Sequence, residues 1–445
     1  MPYLRRAFLF FIFYFLFFIF YFLFKVLIGY TMKKVIIVGG GILGLSCAYY
    51  LQTSGQAQVI LLEAGSFAAA TTSQAAALLT RARSDLNDGL MVDETHRVIK
   101  QFEQNTHPIM QRNGCIHIAS QGDNFHSELS ILKNHHQQGK DRGLNSQWLN
   151  ANQIKQQLPW LAVKNESLGL FYPDDGHADP YLLANFYLQG AKKSGAYLYQ
   201  GVRIKQLLES GDKIIGVRSD KNEDWIGDTV LLAGGPWSSV LAAQHNVKLG
   251  MAPVRSHYWI TDNQTPLSPS QAMAIVPNSK VYFRPENKGL LFGVRDSQNC
   301  IIDPKELPTT QQGIHDHRFK NDENGWLALE ENWQGLIATC PLLETAQLSH
   351  YISGISSYTP DSLPLLGPSQ EWENLFIAAG CSGAGIAWSG GIGRLLSEQI
   401  LQQKTFVDEQ RYAINRFDNE IENVDPMDAT FRQTCLLARI NKKTG

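Results

Sequence analysis

Three glycines and one carboxylate carry the clearest chemistry in this chain. Gly39, Gly41 and Gly44 fall in the pattern G-x-G-x-x-G, and Glu63 follows nineteen positions after Gly44. Such a set can hold a dinucleotide. Gly39 permits a sharp turn, Gly41 leaves the backbone bare for a pyrophosphate, and Gly44 lets a helix lie close on the preceding strand. Ile42 and Leu43 open that helix, whose first N–H groups and positive dipole end suit phosphate. Glu63, followed by Ala64, would accept hydrogen bonds from a ribose 2′-hydroxyl and repel a 2′-phosphate. Thr72 and Ser73 lie in a run of small residues from Ala68 to Ala77 that suits close approach to a flat cofactor, and Arg81 and Arg83 just beyond suit an anion.

The elements that must position these residues are legible around them. Val35-Ile36-Ile37-Val38 reads as a buried parallel strand running into the glycines, and Gln58 to Glu63 as a second strand after an intervening helix. A glycine pattern alone marks many tight turns. With strand, helix, strand and acid in register, the segment specifies dinucleotide binding. Thr229 to Leu232 is another buried strand, ending in Gly234 and reaching Trp237, and it returns the chain to the cofactor. Phe376 to Ala379 does the same through Gly380, Gly383, Ala384 and Gly385 into a helix from Ile386, a second N-terminus open to a negative group. Asp179 is placed as an N-cap with Pro180 first in its helix. Ala196 to Leu208 reads as strand, with Val202 offering backbone bonds to an adenine.

Composition bounds the rest. The 445 residues can bury a large core and suit two domains, and a net charge of −2, from 39 Lys+Arg against 41 Asp+Glu, gives no reason to expect nucleic acid. The six cysteines are scattered without a C-x-x-C, which argues against a disulfide framework and against a zinc or iron–sulfur site. They read as reduced thiols of a cytoplasmic body. His315 and His317 read as solvated, so no metal is expected.

Residues Ala7 to Phe24 are eighteen consecutive apolar or aromatic residues, ten of them Phe. That is long enough to span a bilayer, so residues 7–30 are a membrane anchor on one reading. On the other, Met32-Lys33-Lys34-Val35 is a natural beginning and the upstream start is never used.

The fold class expected is α/β. A Rossmann-type dinucleotide-binding domain with a parallel sheet is interleaved with a mixed α+β substrate domain on an antiparallel sheet. The expected division is a hydrophobic N-terminal segment at 1–31, cofactor domain at 33–109, 173–250 and 350–416, substrate domain at 110–172 and 251–349, and a loose polar tail at 417–445. The aromatic-rich alternation of Val254 to Thr261 and Val281 to Pro285 marks the antiparallel sheet.

Four motifs in order make the chain resemble the D-amino-acid-oxidase superfamily of FAD-dependent oxidoreductases from Met32 to Arg416. They are the N-terminal glycines with Glu63, the Thr229 to Trp237 strand, the stretch from Gly354 through Tyr358-Thr359-Pro360-Asp361 to Gly367, and the stretch Gly380 to Gly393. Within it, Arg255 to Thr261, Tyr282 to Glu286 and Ser389 to Gly393 look most like the sarcosine and dimethylglycine dehydrogenase branch, alongside glycine oxidase. The resemblance implies FAD. Gln74 stands where a His can hold FAD covalently, so non-covalent FAD is expected. Ser356 stands in place of an Arg of glycine oxidases, Ala387 in place of a substrate-carboxylate Lys, and Ile355, Ser356 and Ser357 stand just before Tyr358 where monomeric sarcosine oxidases have a Cys. The residues after Arg416 are too few for a folate-binding half.

The activity implied is oxidation of the C–N bond of a small amine substrate, a glycine-, sarcosine- or dimethylglycine-like amino acid, by hydride transfer to the flavin. Electrons would leave to oxygen, a quinone or another carrier. Arg81, Arg83 and Arg284 are the candidates for a substrate carboxylate, and His257, Tyr258 and Tyr358 for the pocket wall. The alternatives are a 2-hydroxy-acid dehydrogenase of the same superfamily, with His257 as base, and a flavin-binding regulatory protein without turnover.

Overall fold

A computed structural model describes residues 32–105, 108–262, 267–295, 301–310, 312–314, 323–418, 421 and 424–441. The apolar segment 7–30, Cys300, His315 and His317 lie outside the described residues. Among the described residues, no helix is long and apolar enough to cross a membrane.

Two sheets organise the molecule. The first has six strands in the order Leu365–Pro368, Leu375–Ala379, Thr229–Leu232, Lys33–Val38, Ala57–Glu63, Tyr197–Gln200. Its strands run parallel except for the antiparallel edge at Leu365–Pro368. The central strands carry apolar runs because both faces are covered, one by the helices Ile42–Thr53, Pro180–Lys193 and Gly385–Ile400 and the other by a three-stranded sheet, Ile204–Ser210, Lys213–Ser219 and Asp224–Ile226, with the short helix Ser238–Ala243; Val35, Ile36 and Ile37 are all fully buried. The second sheet has eight strands in the order Leu348–Tyr358, Ala252–Thr261, Gly289–Val294, Val281–Glu286, Met273–Val276, Cys115–Ala119, Leu168–Tyr172, Gln147–Asn150. Its pairs are antiparallel except Met273–Val276 with Cys115–Ala119. The α/β class holds, with the parallel sheet where the glycine motif lies and the antiparallel one where the aromatic alternation lies.

Close helix packing explains the glycine stretch near the C-terminus. The Gly385–Ile400 helix lies against Ile42–Thr53 and Leu86–Phe102. A Cβ on Gly391 would stand 2.5 Å from the Met91 carbonyl oxygen, and one on Gly393 would stand 2.2 Å from Ser46 Oγ. Those approaches exclude any larger residue without moving a helix, so the stretch fixes the floor under the cofactor motif.

Three expectations need correction. The strand read from Ala196 to Leu208 is two, Tyr197–Gln200 and Ile204–Ser210, belonging to different sheets and separated by a turn at Gly201 with φ +72°. The boundary expected at 349/350 falls inside the Leu348–Tyr358 strand, which pairs along Ala252–Thr261. The tail is not loose: Ala429–Asn441 is a helix, capped by the Asp428 carboxylate accepting from the Thr430 and Phe431 N–H groups at 2.7 and 3.0 Å. Its Phe431, Cys435 and Leu436 pack with Ala252, Val254 and Tyr358 in one apolar cluster. The polar look of the segment misleads because a single apolar stripe suffices to dock a helix.

Candidate active site

A cavity of about 600 Å³ runs from the carboxyl edge of the parallel sheet to one face of the eight-stranded sheet. This is where open α/β sheets bind their ligands. At the first end the three motif glycines do different things. A Cβ on Gly39, whose φ is +112°, would meet the Ala233 carbonyl oxygen at 2.6 Å, and one on Gly44 would meet the Gly39 carbonyl oxygen at 2.0 Å. Both glycines are demanded by backbone packing. A Cβ on Gly41 meets only Thr72 Oγ1, at 3.3 Å, and otherwise enters the cavity. That is the cradle a pyrophosphate requires.

Glu63 is held for its task by backbone N–H groups. One carboxylate oxygen accepts from Gly40 at 2.6 Å and the other from Gly65 at 2.7 Å, leaving outer lone pairs toward the cavity it lines. Thr72 Oγ1 accepts from the Ile42 N–H at 2.9 Å and so caps the first turn of the motif helix. Ile42, Leu43, Ala64, Val202, Gly234 and Trp237 line the same end. The Val202 N–H is already donated to the Glu63 carbonyl at 2.9 Å, so the adenine bond expected from that N–H is not available. Trp237 is fixed by donating its indole N–H to the Pro308 carbonyl at 2.9 Å.

Gly354, Gly383, Ala384, Gly385 and Ile386 line the middle of the cavity, with Gln74 and Cys381. The Gln74 side chain packs on Gly354, where a Cβ would meet its Oε1 at 2.7 Å. Gly44, Ser73 and Gly380 do not line the cavity. Ser73 Oγ donates to the Ala69 and Ala70 carbonyls at 3.0 Å, and the Gly380 N–H donates to Ser357 Oγ at 3.1 Å.

At the far end, a glycine in the eight-stranded sheet creates the aromatic wall. Gly293 pairs with Tyr258 on one side and Tyr282 on the other, and a Cβ there would stand 2.2 Å from the Tyr282 hydroxyl. Two residues on, Arg295 lines the same space. Tyr358 joins from the neighbouring strand, its hydroxyl 3.2 Å from Ser256 Oγ and tucked over Gly383. Burial, then the neighbouring Tyr258 and Tyr358, push the Tyr282 hydroxyl far above its usual range. Burial lowers the Arg295 guanidinium to about 10, so it remains a cation at neutral pH.

His257 borders the cavity, but its ring packs elsewhere. It lies 4.9 Å from the Trp259 ring and 6.1 Å from Tyr351, on the face opposite Tyr258, as strand alternation requires. The three arginines singled out in the sequence are not brought to the cavity. Arg81 is bound to the fully buried Asp175, whose carboxylate accepts from its backbone N–H and its Nε at 3.0 Å each. Arg83 donates to the Ala82 carbonyl at 2.6 Å and lies over Trp388. Arg284 donates to the Ala76 carbonyl at 2.9 Å and is paired with Glu286, tying the large sheet to the small-residue run. Sequence reasoning missed Tyr282 and Arg295 as site residues. The signal for them was the period-2 register through Gly293, which points Tyr258, Tyr282 and Arg295 to one face.

The parallel sheet, its glycine cradle and the acid that follows define a dinucleotide-binding protein. The chain belongs to the FAD dependent oxidoreductase family DAO, which matches residues 34–399. It is 26% identical over 378 residues to mitochondrial dimethylglycine dehydrogenase of Homo sapiens, covering 83% of this chain and 42% of that protein. It is also 26% identical over 398 residues to 4-methylaminobutanoate oxidase (formaldehyde-forming) of Paenarthrobacter nicotinovorans, covering 88% of this chain and 46% of that protein. The chain thus spans less than half the length of these relatives. Among solved structures, L-proline dehydrogenase from P. horikoshii superposes with a TM-score of 0.74 at 21% identity, over 87% of this chain and 98% of that one, and bears on the fold. The family is one of FAD-dependent oxidoreductases, and the bare cradle at Gly41 with the acid at Glu63 fits that cofactor.

Proposed function

We propose that the protein oxidises the C–N bond of a small amino acid or N-methylated amino acid of the glycine, sarcosine or dimethylglycine kind. The observation that carries this reading is the continuity of one cavity from the glycine cradle to an end walled by Tyr258, Tyr282 and Tyr358 with Arg295 beside them. FAD, when bound, supplies the acceptor for the substrate hydride. Arg295 holds the substrate carboxylate. The Tyr282 phenol stays un-ionised and donates hydrogen bonds without taking a proton, so the wall orients the substrate and keeps water out. Oxidation of a 2-hydroxy acid needs a base at the hydroxyl. His257, the candidate, turns its ring to the other face, which favours the amine.

The test is anaerobic. Sarcosine, dimethylglycine or glycine should bleach the yellow enzyme and 2-hydroxyglutarate should not; bleaching by the hydroxy acid alone overturns the reading. The FAD is held without a covalent bond, a reading supported by Gln74 at the position where the resemblance places a His. Acid precipitation should leave a colourless pellet. A yellow pellet would point to Cys381, the thiol lining the cavity among the described residues. If residues 7–30 are present in the native protein, they hold the body at a bilayer and the acceptor is a membrane quinone or another carrier instead of oxygen. Mass spectrometry of the native N-terminus, with reoxidation by oxygen or a quinone analogue, decides this.

A further inference from the structure

We infer that the Ala429–Asn441 helix completes the substrate end of the cavity and that its Arg439 binds a second carboxylate on the substrate. The preferred substrate is then a small N-substituted amino acid bearing two acid groups. This rests on the C–N oxidation reading above and narrows its substrate class.

The helix begins thirty residues beyond the end of the family match at 399. It is firmly seated. Besides its apolar stripe, Arg432 donates to the Pro426 carbonyl at 3.1 Å and to the Asp303 carboxylate at 3.3 Å. Arg439, near its C-terminus, is 3% exposed and lines the cavity, with its guanidinium carbon 6.0 Å from the Tyr358 ring centre. Arg295 reaches the same end from the eight-stranded sheet.

Two guanidinium groups therefore enter one aromatic chamber from separate elements. Both line the chamber that Tyr358 walls. Each has the fork that suits a carboxylate, and a substrate with two acid groups can engage both forks where a single carboxylate engages one. Of the other cations lining the cavity, Arg203 and Lys205 adjoin Val202 at the Glu63 end, and Lys305 lies beside Pro304 on the 304–309 segment near Trp237. The pair is thus a property of the substrate end.

The probes are oxydiacetate and methoxyacetate, ether analogues of a diacid and a monoacid amine that cannot be oxidised at nitrogen. Each is titrated into the oxidised holoenzyme and followed through the flavin absorption spectrum. Oxydiacetate should bind at least tenfold more tightly than methoxyacetate, and Arg439→Gln should remove that preference while leaving methoxyacetate affinity within twofold. Arg439→Lys should restore part of it. Equal affinity of the wild-type enzyme for the two probes overturns the inference, as does an equal loss of both in Arg439→Gln. The wild-type ratio stands even if the glutamine variant does not fold. Iminodiacetate and sarcosine, added anaerobically, separate the two readings. A binding preference without bleaching by either amine sinks the oxidation reading alone, and bleaching without a preference sinks this one alone.

Discussion

The two ends of the cavity are built by opposite means. The cofactor end is made of backbone: a turn at Gly39, an open position at Gly41, helix N–H groups, and a glutamate locked by two main-chain donors. The proposed substrate end is made of side chains that converge from four strands and a distant helix. A site made of backbone tolerates little variation, because any Cβ in the wrong place collides. A site made of side chains can be re-specified by single substitutions, since each wall residue sits on a rigid strand that does not depend on it.

The sharpest break of this contrast is Gly41→Val. The added side chain meets little protein and fills the cradle, so the variant should fold and elute as a monodisperse protein without flavin absorbance. A yellow Gly41→Val protein would mean that the cofactor does not cross this turn. Arg295→Gln acts at the other end and should leave flavin content unchanged. It should raise KM for an acidic substrate by a factor on the order of thirty or more, the cost of truncating one partner of a buried charge pair being about 2–5 kcal/mol. Unaltered KM would remove Arg295 from the substrate's contacts.

How much was legible follows the same division. The glycines, Glu63, Thr72 and the strand ending at Gly234 were readable because they are local: each acts within a few residues of the element that holds it. The substrate side was readable in part. Tyr258 is legible in the aromatic alternation of its strand and Tyr358 in the motif it opens, whereas Arg81, Arg83 and Arg284 suit a carboxylate by residue type, and type does not say which way a guanidinium turns. A buried Asp175 claims Arg81, and Glu286 with the Ala76 carbonyl claims Arg284. Arg295 is hidden in sequence because its role depends on the register of the strand pair across Gly293. The Ala429–Asn441 helix was lost because its apolar stripe is short and its partner strands lie far away in the chain.

The claimed arginines make their own prediction, in which charge serves the fold. Burial raises the Asp175 carboxyl from 3.8 to about 6 despite its bonds to Arg81, because the desolvation of a fully buried carboxylate outweighs them. The native state therefore keeps a proton that the unfolded chain releases. The associated stability is fully present below pH about 4 and is lost as pH rises through about 6, a change of about 3 kcal/mol. Urea denaturation of the wild-type protein and Asp175→Asn at a series of pH values should show the wild type losing stability relative to the variant across this window. Parallel stability curves would mean that the carboxyl titrates normally.

The smallest effect tests whether the cofactor end is as much a matter of backbone as the structure makes it. Glu63→Ala removes the acceptor for a ribose hydroxyl, which by itself should weaken FAD binding by about 1.5–3 kcal/mol. The same carboxylate accepts the Gly40 and Gly65 N–H groups at 2.6 and 2.7 Å, so the alanine variant also releases the turn that carries Gly41. Glu63→Gln separates the two contributions. Its amide oxygen can keep one main-chain donor and still face the ribose, while the NH2 group repels the other donor. If the ribose bond dominates, glutamine should retain most of the affinity, since an amide oxygen also accepts from a hydroxyl. If holding the turn dominates, glutamine should fall with alanine in FAD affinity and both should lose thermal stability in the apoprotein, where no ribose is present. Isothermal titration of FAD into the three apoproteins, with their melting temperatures measured alongside, reads both quantities on one set of samples.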